Sequence, residues 1–297
     1  MLDRPNAVTK VWRDYDQAEL DRQYDQGSIV ANNEKYRALK VEGSKRARAN
    51  IPCELDVAYG PTKAERLDIY KAPKAGAPVV IFIHGGAWKN GSKNENGYAA
   101  EAFVAKGAAF VVTDFALVPG VMLEEQVRQN RAAIAWVARN AAQFGGDPKR
   151  IYVIGHSSGS HVAGMTLVTD WDGIYGLPAD LIKGAGLASG MYDLEPVRLS
   201  SRNGYLKLDP ERALGLSSIH QIPPVSKVGP LPAVVAWGSS ELKEFQRQSQ
   251  EFAAAWRAEG HPLTALEIEG NNHFDMAQDW GQSDRPLFRA MADVIGL

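Results

Sequence analysis

Residues 155–159 read Gly-His-Ser-Ser-Gly, with Ser157 at the centre of the motif. The apolar run 150–154 precedes this segment, and the small-residue segment 160–165 follows it. A strand, a Gly-x-Ser-x-Gly turn and a helix in this order are typical of a nucleophile elbow, where a sharp turn presents the serine hydroxyl at the end of a sheet. The chemistry that this pattern predicts is nucleophilic attack by Ser157.

A serine hydroxyl needs a base to accept its proton and an acid to orient that base. In a fold with such an elbow the chain order is serine, acid, histidine. His273 fits the base, because it follows the strand-like segment 263–268 and precedes the last helical stretch. The acid is expected in the loop after the apolar run that ends at Trp237. We predict Glu241 in this role, with Glu244, in the first turn of the next helix, as the alternative.

A second glycine-containing motif, His-Gly-Gly-Ala-Trp at residues 84–88, follows the apolar run 79–83. Acyl transfer passes through a tetrahedral oxyanion that backbone N–H groups must stabilise, and glycines permit the close approach. We predict that the N–H groups of Gly85, Gly86 and Ser158 form this oxyanion hole. The hydroxyl of Ser158 is interpreted as a cap for the helix that follows the elbow.

Alternating strand and helix patterns predict an α/β fold with a mostly parallel sheet and helices on both faces. The period-two segments 54–59 and 66–70 flank a Gly-Pro turn and predict an antiparallel hairpin. Continuous apolar runs predict strands buried on both faces; these runs are 79–83, 109–112, 151–154 and 233–237. Ligands of such sheets bind beyond the carboxyl ends of the strands, where Ser157 is predicted to lie.

The bulk composition gives no sign of a charged polymer as partner. The chain has 297 residues, of which 45% are hydrophobic, and 33 basic and 35 acidic residues leave a formal net charge of −2. We therefore expect a small-molecule substrate and neither a nucleic-acid nor a membrane partner. A single cysteine, a polar N-terminal segment and the lack of a transmembrane-length apolar run favour a cytoplasmic protein. No metal-ligand spacing is present, so no metal or other cofactor is expected.

Residues 1–50 are polar and contain scattered aromatic residues, and they are predicted to form an arm that packs on the main body. Residues 51–297 are predicted to form the α/β domain, with cap elements at about 192–228, a stretch rich in Leu, Ser, Arg and Pro.

Several motifs together resemble the α/β-hydrolase superfamily, specifically its His-Gly-Gly esterase branch and, within that branch, the kynurenine formamidase (arylformamidase) family. The segments that carry the resemblance are 15–24, 84–86, 155–161, 189–196, 241–249 and 272–275. The chain departs from residues common in that family at Ala87, Ser158 and Glu241, where Tyr, Ala and Asp are more usual. Relatives of this fold are often dimers, so a homodimer is one assembly open to the chain.

The resemblance implies a metal-independent serine hydrolase that cleaves an aryl formamide or a related small amide. Two alternatives remain: a carboxylesterase acting on small natural or xenobiotic esters, and a non-catalytic ligand receptor on the same fold. Trp88, Tyr192 and Phe274 are predicted to contact the substrate. Arg198 or Arg202 in the cap is a further candidate, for binding a substrate carboxylate, although a solvated surface is the simpler interpretation of both.

Overall fold

An eight-stranded sheet forms the centre of the molecule. The structure, a computed structural model, describes residues 9–297. The strands are β1 Cys53–Ala58, β2 Arg66–Tyr70, β3 Ala77–Ile83, β4 Ala109–Thr113, β5 Gly146–His156, β6 Ile182–Ala188, β7 Ala233–Gly238 and β8 Leu263–Ile268. Their order is β1-β2-β4-β3-β5-β6-β7-β8, in which β2 runs antiparallel to β1 and β4 and the other neighbours are parallel. The predicted hairpin and mostly parallel sheet are thus confirmed.

Helices cover both faces of this sheet. They are α1 Gln17–Gln23, α2 Glu34–Asn50, α3 Ala100–Ala105, α4 Leu123–Asn140, α5 Ser158–Leu167, α6 Trp171–Tyr175, α7 Glu195–Leu199, α8 Asn203–Leu206, α9 Pro210–Gly215, α10 Val225–Val228, α11 Lys243–Ala258, α12 His273–Gln278 and α13 Pro286–Ile295. Successive side chains of a strand point to opposite faces. Val79, Ile81 and Ile83 of β3 accordingly pack with α4, α5 and α11, whereas Val80 and Phe82 pack with α3 and α13.

The chain before the sheet lies against the α/β body. Helix α1 packs on α7 and α11, while α2 packs on the 3₁₀ turns at 93–99 and on α12. The region predicted as a cap contains the short helices α7 to α10, which connect β6 to β7. Residues 1–8 of the predicted arm lie outside the described residues. Among residues 9–297, no helix combines the length and the apolarity needed to cross a membrane.

Helix α11 begins with backbone N–H groups that the arm satisfies. The first N–H groups of a helix have no partner within it, and α11 has no side-chain cap of its own. The Gln26 side-chain oxygen accepts from the Leu242 N–H at 3.3 Å, and that of Gln23 accepts from the Glu244 N–H at 3.0 Å. The arm therefore fixes the start of the helix that follows Glu241.

Candidate active site

Ser157 occupies the sharp turn between β5 and α5. Its φ of 56° and ψ of −128° lie in a region that residues with a side chain rarely adopt. The turn requires glycine beside it, since a Cβ on Gly159 would lie 2.1 Å from the carbonyl oxygen of Ile83. The Ser157 N–H donates to the carbonyl oxygen of Ala188 at the end of β6, at 2.9 Å, which ties the strained residue to the sheet.

The structure brings together Ser157, His273 and Glu241, which come from three separate loops. His273 Nε2 lies 2.9 Å from Ser157 Oγ, and His273 Nδ1 lies 2.6 Å from Glu241 Oε1. The second carboxylate oxygen of Glu241 accepts from the Ser189 hydroxyl and from the Gly238 N–H, both at 2.8 Å. A buried carboxylate held in this way can orient an imidazole and stabilise its protonated form. The arrangement can therefore accept a proton from the serine hydroxyl.

The alternative acid, Glu244, takes no part in this chain of hydrogen bonds. Its carboxylate pairs with Arg247 and lies 3.4 Å from the Tyr24 hydroxyl. Asp275, the acid nearest to His273 in sequence, accepts from the Tyr36 hydroxyl at 2.8 Å. Of these three acids, only Glu241 contacts the imidazole of His273.

The loop that carries His273 is held from both sides. Asn272 and Asp275 form a reciprocal capping box at the start of α12, so that the first turn is fixed where His273 begins it. His156, the residue before the nucleophile, donates from Nε2 to the carbonyl oxygen of His273 at 2.8 Å. Burial lowers the pKa of His156 well below its ordinary value, so this ring stays neutral at physiological pH.

The glycine loop after β3 lies directly against the nucleophile. A Cβ on Gly85 would lie 3.0 Å from the Ser157 Cβ and 2.7 Å from the carbonyl oxygen of His156. Gly86 has a φ of 131°, and the next two residues, Ala87 and Trp88, also have positive φ values of 51° and 62°. The loop backbone therefore lies against Ser157, which is where an oxyanion hole would have to form.

The Ser158 hydroxyl fastens this loop and does not cap α5. It accepts a hydrogen bond from the Trp88 N–H at 3.1 Å, whereas α5 begins without a side-chain cap. The interpretation of the Ser158 hydroxyl as a cap is therefore wrong: because the 84–88 loop crosses the start of α5, a loop N–H reaches it. The hydroxyl thus links the predicted oxyanion loop to the residue after the nucleophile.

Trp88 is buried in the protein and does not line the cavity that opens at Ser157 and His273. It is 2% exposed, and its indole N–H donates to His161 Nδ1 at 3.1 Å. His161 Nε2 in turn donates to the carbonyl oxygen of Leu216 at 2.9 Å, and burial lowers the pKa of His161 to about 4. Tyr192, fully buried, stacks on Phe252 with ring centroids 4.1 Å apart. Neither Trp88 nor Tyr192 is among the residues that line the cavity at Ser157, so the predicted substrate contact of both finds no support in that cavity.

A cavity of about 680 Å³ opens at Ser157 and His273. Phe274, which is predicted to contact the substrate, lines this cavity and stacks on Tyr36 of α2 with ring centroids 5.5 Å apart. Tyr24 of the arm also lines the cavity. Nothing in the sequence pattern assigns these tyrosines to the cavity, because Glu244 and Asp275, which their hydroxyls contact, are more than 200 residues away in the chain.

Arg202 lines the cavity as well, whereas Arg198 does not. Within residues 9–297, no group of three or more His, Cys, Asp or Glu side chains is arranged to hold a metal ion.

Known proteins resemble this chain over most of its length. The BD-FAE family model matches residues 67–174, which contain the glycine loop and the elbow. The kynurenine formamidases of Salmo salar and Danio rerio are each 31% identical to it, over 96% of this chain and 98% of each relative. A solved structure from Silicibacter sp. TM1040, described as a candidate thioesterase, shares the fold with a TM-score of 0.81 at 21% identity, covering 94% of this chain and 99% of that one. The chain therefore belongs to the α/β-hydrolase esterase and formamidase family, and it is a hydrolase of that family.

Proposed function

We propose that this protein is a serine hydrolase that cleaves an aryl formamide, or a related small amide, through an acyl-enzyme. The observation that carries the proposal is the continuous chain of hydrogen bonds from Glu241 through His273 to Ser157, which ends in the cavity. The identity to kynurenine formamidases, along nearly the full length of both chains, supports an amide as the substrate.

In the first step the Ser157 Oγ attacks the substrate carbonyl carbon and passes its proton to His273 Nε2. The electron pair of the carbonyl double bond moves to the oxygen, which becomes an oxyanion facing the N–H groups of Gly85, Gly86 and Ser158. Glu241 holds the proton on His273 Nδ1 and stabilises the imidazolium. Donors of this kind are each typically worth about a hundred- to a thousand-fold in rate.

In the second step the tetrahedral intermediate collapses. His273 Nε2 gives its proton to the leaving nitrogen while the C–N bond breaks, which releases the amine and leaves the acyl group on Ser157. A water molecule then attacks the acyl carbon and transfers a proton to His273 Nε2. The C–O bond to Ser157 breaks as His273 returns that proton to the Ser157 Oγ, which restores the free enzyme. The products are the amine and a carboxylic acid, which is formate in the case of a formamide.

The aromatic wall of the cavity supports an aryl leaving group. The Phe274 ring lies 5.7 Å from the His273 ring in an edge-to-face arrangement, and it stacks on Tyr36. The leaving nitrogen must lie close to His273 Nε2 in order to receive its proton. An aryl group on that nitrogen would be adjacent to the two rings, which offer the apolar contact that such a ligand needs.

A matched pair of substrates tests the proposal: formanilide and phenyl formate, an amide and an ester that share the formyl group and the phenyl ring. We expect wild-type protein to hydrolyse both, and Ser157→Ala to hydrolyse neither. Ester turnover without amide turnover would refute the amide and identify a carboxylesterase.

Labelling with a fluorophosphonate separates an enzyme from a receptor. We expect labelling of wild-type protein and of Ser283→Ala, a control at an exposed serine, but not of Ser157→Ala. Absence of labelling and of turnover in folded wild-type protein would support the non-catalytic receptor.

A further inference from the structure

We infer that Arg202 binds a carboxylate group of the substrate, and that it makes the protein selective for anionic over neutral aryl substrates. The inference deepens the proposed function and rests on it. Arg202 directly precedes α8 and lines the same cavity as Ser157 and His273. It therefore meets the same bound molecule as the reacting groups.

Aromatic rings surround the guanidinium group of Arg202. The Cζ atom lies 5.3 Å from the ring centroid of Tyr24 and 5.9 Å from those of Trp88 and Phe245. Such rings attract a cation through their faces but do not neutralise its charge. They hold the side chain in place and leave its hydrogen-bond donors available.

Most of those donors have no acceptor among residues 9–297. A guanidinium carries five N–H groups in a planar fork. Nη2 donates to the carbonyl oxygen of Tyr24 at 2.5 Å, and Nη1 lies 3.4 Å from the Met191 sulfur. Among the hydrogen bonds of residues 9–297, the other three N–H groups of Arg202 find no partner. Unused donors on a cation inside a cavity fit a ligand that brings the acceptors.

In the described part of the chain, no carboxylate forms an ion pair with Arg202. Burial lowers its pKa, which shows that the site disfavours a cation in the absence of an anion. Asp25 lines the same cavity and acts on Arg202 electrostatically, but it forms no ion pair with it. A carboxylate that makes two parallel hydrogen bonds is the ligand for which a guanidinium is best shaped.

The other cations near the cavity are already engaged. Arg37 pairs with Glu95 at 2.9 Å. Lys40 donates to Asn96 at 3.4 Å, and burial lowers its pKa, an effect that the nearby Glu95 only partly offsets. Arg198, the second candidate from the sequence, lies outside the cavity lining, and both arms of its guanidinium donate to Glu195 at 2.7 Å.

The experiment compares two aryl formamides of nearly the same shape that differ in charge, 4-formamidobenzoate and the neutral 4-formamidobenzamide, with release of the ring amine followed for both. In Arg202→Gln we expect KM for the anion to rise by about 30-fold or more, and KM for the neutral compound to change by less than about threefold. Arg202→Lys should retain part of the preference, because it keeps the charge but loses the fork. Arg198→Ala, the matched control on the same cap, should match wild type.

Two results would overturn the inference: an unchanged ratio of the two KM values in Arg202→Gln, or loss of the preference in Lys40→Met instead. Because Arg202 also donates to Tyr24, thermal unfolding of each variant is compared with wild type. A purely structural role would weaken both substrates equally, which also counts against the inference.

A second readout separates this inference from the proposed function. Benzoate and benzamide are compared as inhibitors of fluorophosphonate labelling at Ser157, which needs no amide turnover. If no formamide is cleaved but benzoate protects wild type better than Arg202→Gln, the formamidase proposal fails and the Arg202 inference stands. If formamides are cleaved and benzoate protects both proteins equally, the Arg202 inference fails alone.

Discussion

Replacing Glu241 by Gln is expected to abolish most activity through the position of a single proton. In the native protein Glu241 Oε2 accepts from the Gly238 N–H and from the Ser189 hydroxyl. The backbone N–H can only donate, so the amide oxygen of the glutamine must take that position. The amide NH₂ then faces His273 Nδ1, which has to act as an acceptor. The ring proton moves to Nε2, which faces Ser157 Oγ at 2.9 Å and can no longer accept the serine proton.

An imidazole locked in the wrong tautomer in this way costs roughly 10⁴-fold in kcat in serine hydrolases. That loss corresponds to about 5.5 kcal/mol of transition-state stabilisation, at about 1.36 kcal/mol for each factor of ten. The glutamine has nearly the same shape and keeps its hydrogen bonds, so the fold and KM should change little. The effect should therefore appear in kcat alone.

The assay is steady-state hydrolysis of phenyl acetate, with thermal unfolding measured on the same preparations. Glu244→Gln is the matched control, since Glu244 is buried but does not contact His273. Its kcat should stay within about threefold of wild type, in keeping with a residue outside the reacting groups. A Glu241→Gln protein that keeps kcat within tenfold of wild type would refute the reasoning, as would an equal loss in Glu244→Gln.

Two further predictions concern the supports of the site. Ser158→Ala leaves the Trp88 N–H without its acceptor. We therefore expect the free energy of unfolding in urea to fall by about 1–3 kcal/mol and kcat to fall roughly tenfold, because the oxyanion loop is displaced. Unchanged values of both would show that the hydroxyl does not hold the loop. The pKa of His161 is about 4 in the folded protein and about 6.5 when unfolded. Between these two pKa values the unfolded chain binds a proton that the folded protein does not bind, so stability falls as pH drops from 6.5 toward 4. His161 lowers the free energy of unfolding by up to about 1.4 kcal/mol for each pH unit of acidification in this range. His156 acts in the same direction, because its pKa is also lowered. Urea unfolding at several pH values should show that the free energy of unfolding changes less steeply with pH in His161→Gln than in wild type. An identical pH dependence would contradict the lowered pKa of His161 as its cause.

Local sequence patterns predict most strands of the sheet, but they do not reveal β6. The runs predicted as fully buried strands are rich in apolar β-branched and aromatic residues, whereas β6 reads Ile-Lys-Gly-Ala-Gly-Leu-Ala. Its glycines exist for packing, because a Cβ on Gly186 would lie 2.5 Å from Trp280 and one on Gly184 would lie 2.6 Å from Val294. Glycine and alanine weaken a strand pattern, so contacts with distant helices obscure this strand in the sequence.

The long helix α2 is hidden in the sequence pattern for a similar reason. Its contact face uses Gly43, Ser44 and Ala47 next to Tyr36 rather than an apolar stripe, so the 3.6-residue period is missing. In the site, chain order and loop position placed Ser157, Glu241 and His273 correctly side by side. Residue type alone could not show which way an aromatic ring turns. Trp88 turns inward because its partner is His161, 73 residues later.

The arm contacts α11 and α12, so the complete site forms only when segments that are far apart in the chain have packed together. Gln23 and Glu244 are 221 residues apart, and Tyr36 and Asp275 are 239 residues apart. During synthesis the arm emerges first but has nothing to cap until α11 has been made, and His273 follows later still. A shortened protein that starts at Cys53 would contain every reacting group, yet it would lack one wall of the cavity and the acceptors at the start of α11. Hydrolysis therefore reports that the first and last parts of the chain have docked, and it can serve as an assay for complete folding.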